Sequence, residues 1–554
     1  MYADPDVPLA RIVKVFPPRL IGLWLQALER SEDDLKCQAA AAIALARDRG
    51  MPGLEATVAP LLKALDRPEQ HPTVRIAVAQ ALIALDTREV APTLFTHLQT
   101  DGVEMRNVVD PALARWDYKP ARAAWLERVE KAGIPRQSLL LAIRGLGTVR
   151  EPKGVMRLRD LALSEKGDPI VRLEAARALG AIQTTGLEKD AERLAQEPGT
   201  AGNVAQLAAA AILRHHHSDE ATKLLQRIAV ESEPAAAVIA LDGLLENDPG
   251  LVLGLLPKLT GSPDPGVRSR AVEAYRRRPA ADHIPLVANL LDDPHPQVRI
   301  GARKALLVSA GRPEFRDGVL REATRHLATD HWRALEQATI LLASLDHKPA
   351  AGRFVELLRF ERPEVFVAAA WGLRKLAVAE TLPAQLAEVE RRWSRSQKLD
   401  ATEPRTAIDL EVSQLAQSLG RARYAPAAPV LARFVPKQWN IGPESRAAAI
   451  WALGLIHENA PPERLVDGLI DRLTDDSTTV PEDLRVRRMA AVTLGRVKAK
   501  EAVTSLKKYY PRKLTAEPFP NACGWALQQI TGEPLPGSGT VDVVQRGWFL
   551  EPTE

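Results

Sequence analysis

Apolar residues recur along this chain in short blocks at helical spacing, each block dry on one side and polar on the other. The stretch DPIVRLEAARALGAI, Asp168 to Ile182, sets the pattern. Asp followed by Pro marks a helix start, and Val171, Ala175, Leu179 and Ile182 form one apolar stripe. A helix this short is marginal in water on its own. Something else in the chain must cover its dry side.

The block has relatives. DPGVRSRAVEAY begins at Asp264, DPHPQVRIGARKAL at Asp293, SRAAAIWALG at Ser445 and VRRMAAVTLG at Val486. TVRIAVAQAL begins at Thr73 and LKCQAAAAIAL at Leu35. The shared frame is V-R-x-x-A-A-x-A-L-G. Its second position falls at Lys36, Arg75, Arg106, Arg136, Arg172, Ala205, Ala236, Arg268, Arg299, Arg333 and Phe366. A degenerate copy near Ile408, Arg446, Arg487 and a weak copy near Asn521 follow. Gaps of 30 to 42 residues are the internal period of a solenoid.

Each period holds two predicted helices. One precedes the turn, as in MRLRDLALSE (156–165) or IPLVANLLDD (284–293). The other carries the frame, with Asp as N-cap and Pro at the first helical position. Arginine near a helix start runs against the helix dipole. It is therefore expected to pair with a turn aspartate of its own or the next repeat, Asp168 with Arg172 and Asp264 with Arg268. Asp293, Arg299 and Arg487 belong to the same structural ladder. Paired alanines let successive helices approach at the short end of the roughly 8–10 Å range. Each repeat is then covered by its neighbours, and the stack is stable where one repeat is not.

This frame resembles the HEAT family of helical repeats, in particular the short bacterial variety named for its likeness to phycobilisome lyase repeats. The resemblance covers about residues 20–530. It implies an all-α fold, a right-handed α-α superhelix (HEAT/armadillo-like solenoid) of about fifteen helix pairs, with the frame helices on the concave side. The expected organisation is an N-terminal extension (1–19), a first block of repeats (20–393), a polar loop (394–407), a second block (408–530) and a Pro/Gly-rich tail (531–554). The tail is expected either to cap the last repeat with Val541, Trp548, Phe549 and Leu550 or to serve as a ligand for a partner.

Composition narrows the function. The 554 residues carry 74 basic and 70 acidic side chains, a net charge of +4, too small to imply nucleic acid or membrane as the main partner. Aromatics are 5 %, which favours close-packed helices over sheets. The cysteines, Cys37 and Cys523, form no CxxC motif and no disulfide framework. No apolar run is long enough to span a membrane, and the first residues do not read as a signal peptide. A cytoplasmic location is favoured, with export open if a leader is missing from the sequence.

Enzyme motifs are not found: no Walker loop, GxGxxG, GxSxG or HExxH. No catalytic residue, cofactor or resident metal is expected. The run His215–His217 reads as a solvated helix end, with metal capture as the alternative; adjacent side chains splay by about 100° and cannot all reach one ion. His326, Asp330 and His331 form a looser cluster. One His-Glu pair, His457–Glu458, falls short of the repeated pairs that bind two irons in some HEAT-like hydroxylases.

Two features point to a partner. Trp371, Trp451 and Trp525 occupy the same frame position in three repeats, where other repeats hold Gln80, Arg177, Glu273 and Lys304. They read either as groove anchors for a protein segment or as packing between repeats. Arg485, Arg488, Arg496, Lys498, Lys500, Lys507 and Lys508 form a basic stretch within 485–513, either a solvated face or a patch for an acidic segment or phosphate. The expected function is a non-catalytic scaffold that holds an extended or helical protein segment in its groove. The alternatives are an enzyme or metal protein on the same frame, and nucleic-acid binding through 485–513.

Overall fold

The computed structural model describes residues 1–197, 199–398 and 405–552. Its helices form fifteen pairs among the described residues, from Leu20–Leu28 with Asp33–Asp48 to Val503–Tyr509 with Pro518–Thr531. The chain divides into two compact units. One is Lys14–Ala274 with Val543–Glu554; the other is Met1–Val13 with Tyr275–Asp542. The expected boundary at 394–407 does not coincide with this division. Residues 394–396 continue the helix Leu382–Ser396, and the next helix, Arg405–Arg421, begins at the far end of the loop. Residues 399–404 lie outside the described residues.

The frame helices pack on one another. Arg405–Arg421 lies against Pro443–Ile456, which lies against Leu484–Arg496, which lies against Pro518–Thr531. Small side chains permit this approach. Ala175, Ala176, Ala447, Ala448, Ala490 and Ala491 are fully buried. Glycines mark the tightest contacts: a Cβ on Gly420 would fall 2.6 Å from the Ala452 Cβ, and one on Gly495 2.7 Å from the Ala526 Cα.

Asp168 caps its frame helix, and the other turn aspartates accept from amides of the turn or helix start. Asp168 accepts from the amides of Ile170 (2.9 Å) and Val171 (3.1 Å); Asp264 accepts from Val267 N (3.0 Å) and Asp293 from His295 N (2.8 Å). The frame arginines do something the charge pattern alone does not reveal. They donate to backbone carbonyls at the end of the preceding helix in their own repeat or in the turn that follows it. Arg172 reaches Ala162 O (3.0 Å), Arg268 reaches Ser262 O (2.8 Å) and Pro263 O (2.9 Å), and Arg487 reaches Leu473 O (3.0 Å). Arg299 approaches Asp293 O and Pro294 O at 3.5 and 3.3 Å. The carbonyls of Ala162 and Leu473 are orphan acceptors of a helix end, so there the cation favours the C-terminal pole of the outer helix, not the N-terminal pole of its own.

The expected pairing of Asp168 with Arg172 is therefore corrected. Asp168 pairs with Arg136 of the preceding repeat (3.1 Å), and Arg172 pairs with Glu197 (2.6 Å). The same link to an acid in the following repeat joins Arg75 to Asp101 (3.1 Å) and Arg446 to Glu482 (2.7 Å).

The termini also differ from expectation. In the first unit the C-terminal tail covers the first helix, not the last repeat. Trp548 packs on Phe16 and Trp24 (centroids 5.7 Å apart in each case), and the Trp24 indole donates to Phe549 O (2.8 Å). This leaves Trp24 fully buried. Arg11–Val15 and Thr540–Val544 form a two-stranded sheet. No helix among the described residues is long and apolar enough to cross a membrane.

Candidate partner-binding face

In the second unit, the frame helices Pro363–Leu376, Arg405–Arg421, Pro443–Ile456, Leu484–Arg496 and Pro518–Thr531 present one continuous face. That face carries a polypeptide. Residues Met1 to Ala10 lie across it without regular secondary structure. The Tyr2 hydroxyl donates to Glu444 (2.8 Å). Asp4 Oδ2 accepts from the Trp451 indole (3.1 Å) and from Arg496 (2.5 Å). Asn521 Nδ2 donates to Pro8 O (3.1 Å), and the Ala10 amide donates to Thr515 O (2.9 Å).

The three frame tryptophans differ in consequence. Trp451 is 1 % exposed, with Asp4 on its indole nitrogen, its ring edge over Gly420 and the Arg496 guanidinium 5.5 Å from its centroid. Trp525 is half-buried against Gly495. Trp371 is half-buried and lines a hollow of about 500 Å³ with Arg303, Glu336, Ile340, Leu410 and Gln414. Trp451 and Trp525 pack over a glycine of the preceding repeat, and Trp371 borders open space.

The basic stretch is split by the fold. Arg488 and Arg496 are half-buried on the Leu484–Arg496 helix, and Arg496 holds Asp4. Arg485 pairs with Asp483 and Glu444, which hold its guanidinium above the ordinary arginine range. Arg487 is buried over the rings of Tyr509 and Phe519. Lys498 and Lys500 are exposed in the following turn. Lys507 and Lys508 sit on the next helix, where Lys508 pairs with Asp476 (3.0 Å). These side chains do not form one patch.

The histidines are dispersed in character. His216 is buried with neither ring nitrogen hydrogen-bonded, and burial pushes its pKa down. His215 is 3.9 Å from Glu246. His331 pairs with Asp292 (2.8 Å), while His326 is buried and also shifted down by burial. Among the described residues no cluster of three or more His, Cys, Asp or Glu has metal-site geometry. Burial raises the Cys523 thiol to about 12.

Two features escaped the sequence reading. Residues 1–10 carry no frame, so nothing in the repeat pattern assigns them a seat. A second hollow, of about 510 Å³, is bordered by Trp393, Trp439, Asp409 and Arg405. Trp439 is 74 % exposed, with the Arg405 guanidinium 5.6 Å from its ring. It lies between helices, where spacing carries no signal.

Beneath that hollow Arg392 Nε stands 2.9 Å from Glu388 and 2.7 Å from Glu411. Neither Glu411 oxygen has hydrogen-bonding geometry, and burial pushes its pKa up to about 8. Arg391 also pairs with Glu388, and the Arg392 charge is shared between the two glutamates, too little to offset the burial of Glu411. The unfolded chain ionises Glu411 near 4.5. Its contribution to stability is full below that value and is lost as pH rises through about 8. We expect Glu411→Gln to raise the melting temperature at about pH 8 and to leave it nearly unchanged at about pH 4. Thermal melts of both proteins at the two pH values check this.

These stacked, alanine-lined helix pairs define an α-solenoid. Residues 21–113 match the family model for HEAT repeats, and the fold of the chain is that of an α-solenoid. The match does not extend to the phycobilisome-lyase subtype. Among solved structures, the chain is similar to Kap95p, in a structure whose subject is Kap95p binding to RanGDP. The TM-score is 0.51 at 15 % identity, covering 92 % of this chain and 72 % of that one. Yeast importin-beta (Kap95p) gives a TM-score of 0.49 at 15 % identity over the same shares. No curated protein sequence matches.

Proposed function

We propose that this chain is a protein-binding scaffold that receives an extended segment of a partner on the frame-helix face of residues 363–531. The observation that carries this reading is the chain's own segment, Met1 to Ala10. It is held there through side-chain contacts to Glu444, Trp451, Arg496 and Asn521. The face thus offers a polypeptide N–H donors to a carboxylate, from Trp451 and Arg496, and a donor to main-chain carbonyl, from Asn521. Trp371, beside open space, and Trp525 extend the same frame position to either side of Trp451. Kap95p, a solenoid of similar fold, binds the protein RanGDP.

A peptide display library selected on the intact protein tests this. Enrichment of defined sequences is expected, and the variant Trp371→Ala, Trp451→Ala, Trp525→Ala is expected to lose it. Hot-spot aromatics of this kind cost about 2 kcal/mol or more when truncated. Equal enrichment on both proteins, or none on the wild type, would overturn the proposal.

A further inference from the structure

The chain's own segment leaves most of the positive charge around it unanswered. Beside the Met1 ammonium, whose pKa is lowered by burial and then by their charges, stand Arg421 at the end of Arg405–Arg421, Arg374 on Pro363–Leu376 and Arg488 on Leu484–Arg496. Arg374 and Arg488 each keep a buried Nε without a hydrogen-bond partner, as Arg496 keeps its Nη1. None of the first three forms an ion pair with another described residue. Burial, then the Arg421 charge, pushes the Arg374 guanidinium down from its ordinary value, and burial does the same to Arg488. The nearby acids are engaged elsewhere: Glu444 takes Tyr2 and Arg485, and Asp409 accepts from Ser445 and the Glu444 amide. Asp4 answers only Arg496.

Arg374 and Arg488, held half out of water with an unpartnered Nε, cost free energy that an arriving carboxylate returns through charge-assisted hydrogen bonds, and the exposed Arg421 adds charge beside them. From this we infer that the face takes an extended acidic segment of a partner protein. It replaces residues 1–10, sets one carboxylate in the place of Asp4 on Trp451 and Arg496, and puts further carboxylates on Arg374, Arg421 and Arg488. This rests on the proposed scaffold reading and names the partner's chemistry. A peptide is favoured over nucleic acid because the face engages main chain through Asn521 and Thr515, and the Trp451 ring offers a nitrogen edge, not an open stacking surface. The resident segment then acts as an internal competitor with a smaller negative charge.

The test uses the full chain and fluorescein-labelled peptides read by fluorescence polarisation. One peptide has the sequence of residues 1–10. A second places a run of glutamates before it, and a third replaces every acid of the second by its amide. The proteins are wild type, Asp4→Arg, Asp4→Ala and the Asp4→Ala chain with Arg374→Gln, Arg421→Gln and Arg488→Gln. Circular dichroism confirms folding of each, and Asp4→Ala serves if Asp4→Arg does not fold.

The glutamate peptide is expected to bind the Asp4 variants at least about tenfold more tightly than wild type. Amidation of the peptide, or loss of the three arginines, is expected to remove that gain. Equal affinity for the acidic and amidated peptides overturns this inference while leaving the scaffold reading intact. So does binding that is indifferent to the three arginines, or tighter arginine-dependent binding of oligo(dT). A complex in which a second copy supplies its own residues 1–10 in preference to the glutamate peptide, detected by mass photometry, also overturns it. Failure of every peptide to bind, together with a failed library selection, removes the scaffold reading itself.

Discussion

Replacing Arg446 by methionine is expected to destabilise the second unit by about 3–5 kcal/mol, the cost of breaking a buried ion pair from one side. Arg446 and Glu482 are both nearly inaccessible, at 4 % each. Two guanidinium nitrogens meet the two carboxylate oxygens at 2.8 and 2.7 Å. The same guanidinium serves Phe434 O and Val435 O, at 3.4 and 3.3 Å, where the preceding segment ends. Methionine fills much of the volume but abandons the carbonyls and leaves Glu482 to Arg472, at 3.1 Å, and the Asp483 amide, at 2.9 Å. Glu482 also has its pKa held down by these arginines against the opposing effect of burial, so the pair's contribution is lost as pH falls toward the acid range. Urea denaturation followed by circular dichroism measures the loss. The double variant Arg446→Met, Glu482→Met is expected to recover part of it, since an apolar pair leaves no charge uncompensated.

Gly180→Ala has the next largest expected effect, about 1–3 kcal/mol from overpacking. A methyl group there would fall 2.7 Å from Ala211 O and close on Ile212 O as well. Those atoms are backbone of the next frame helix, Gly199–Leu213, so no side chain can turn aside. The two helices must separate, and the fully buried Ala208, Ala209 and Leu179 lose contact. Gly22→Ala is the control. Nothing lies within 4 Å of a Cβ at that position, in the helix Leu20–Leu28, and the change is expected to be neutral or stabilising by about 0.4–1 kcal/mol. Thermal melts of the two variants beside wild type give the comparison.

The repeat was legible because its signals are local. Asp168, Pro169 and the stripe from Val171 to Ile182 each act within a few residues, and the helix forms over Pro169–Ile182 with Asp168 as its cap. Partner choice was less legible. The charge pattern brings Arg172 and Asp168 together on one helix start, but the side chain reaches instead for carbonyls and an acid that only tertiary packing places nearby. The tryptophans shared a sequence position but not an environment, since a glycine beneath Trp451 or the space beside Trp371 is set by neighbouring repeats. The seat of residues 1–10 was hidden altogether. Asp4 and Trp451 stand 447 positions apart, a separation at which a short polar segment carries no periodic signal.

The stability of the stack rests on repeats that hold together only through adjoining repeats. Hydrogen exchange on wild type and Gly180→Ala, read peptide by peptide, tests this directly. Protection should fall first in 169–182 and 199–213 and decay outward through neighbouring pairs, as nearest-neighbour coupling requires. A uniform loss along the whole chain, or none in those two helices, would contradict it.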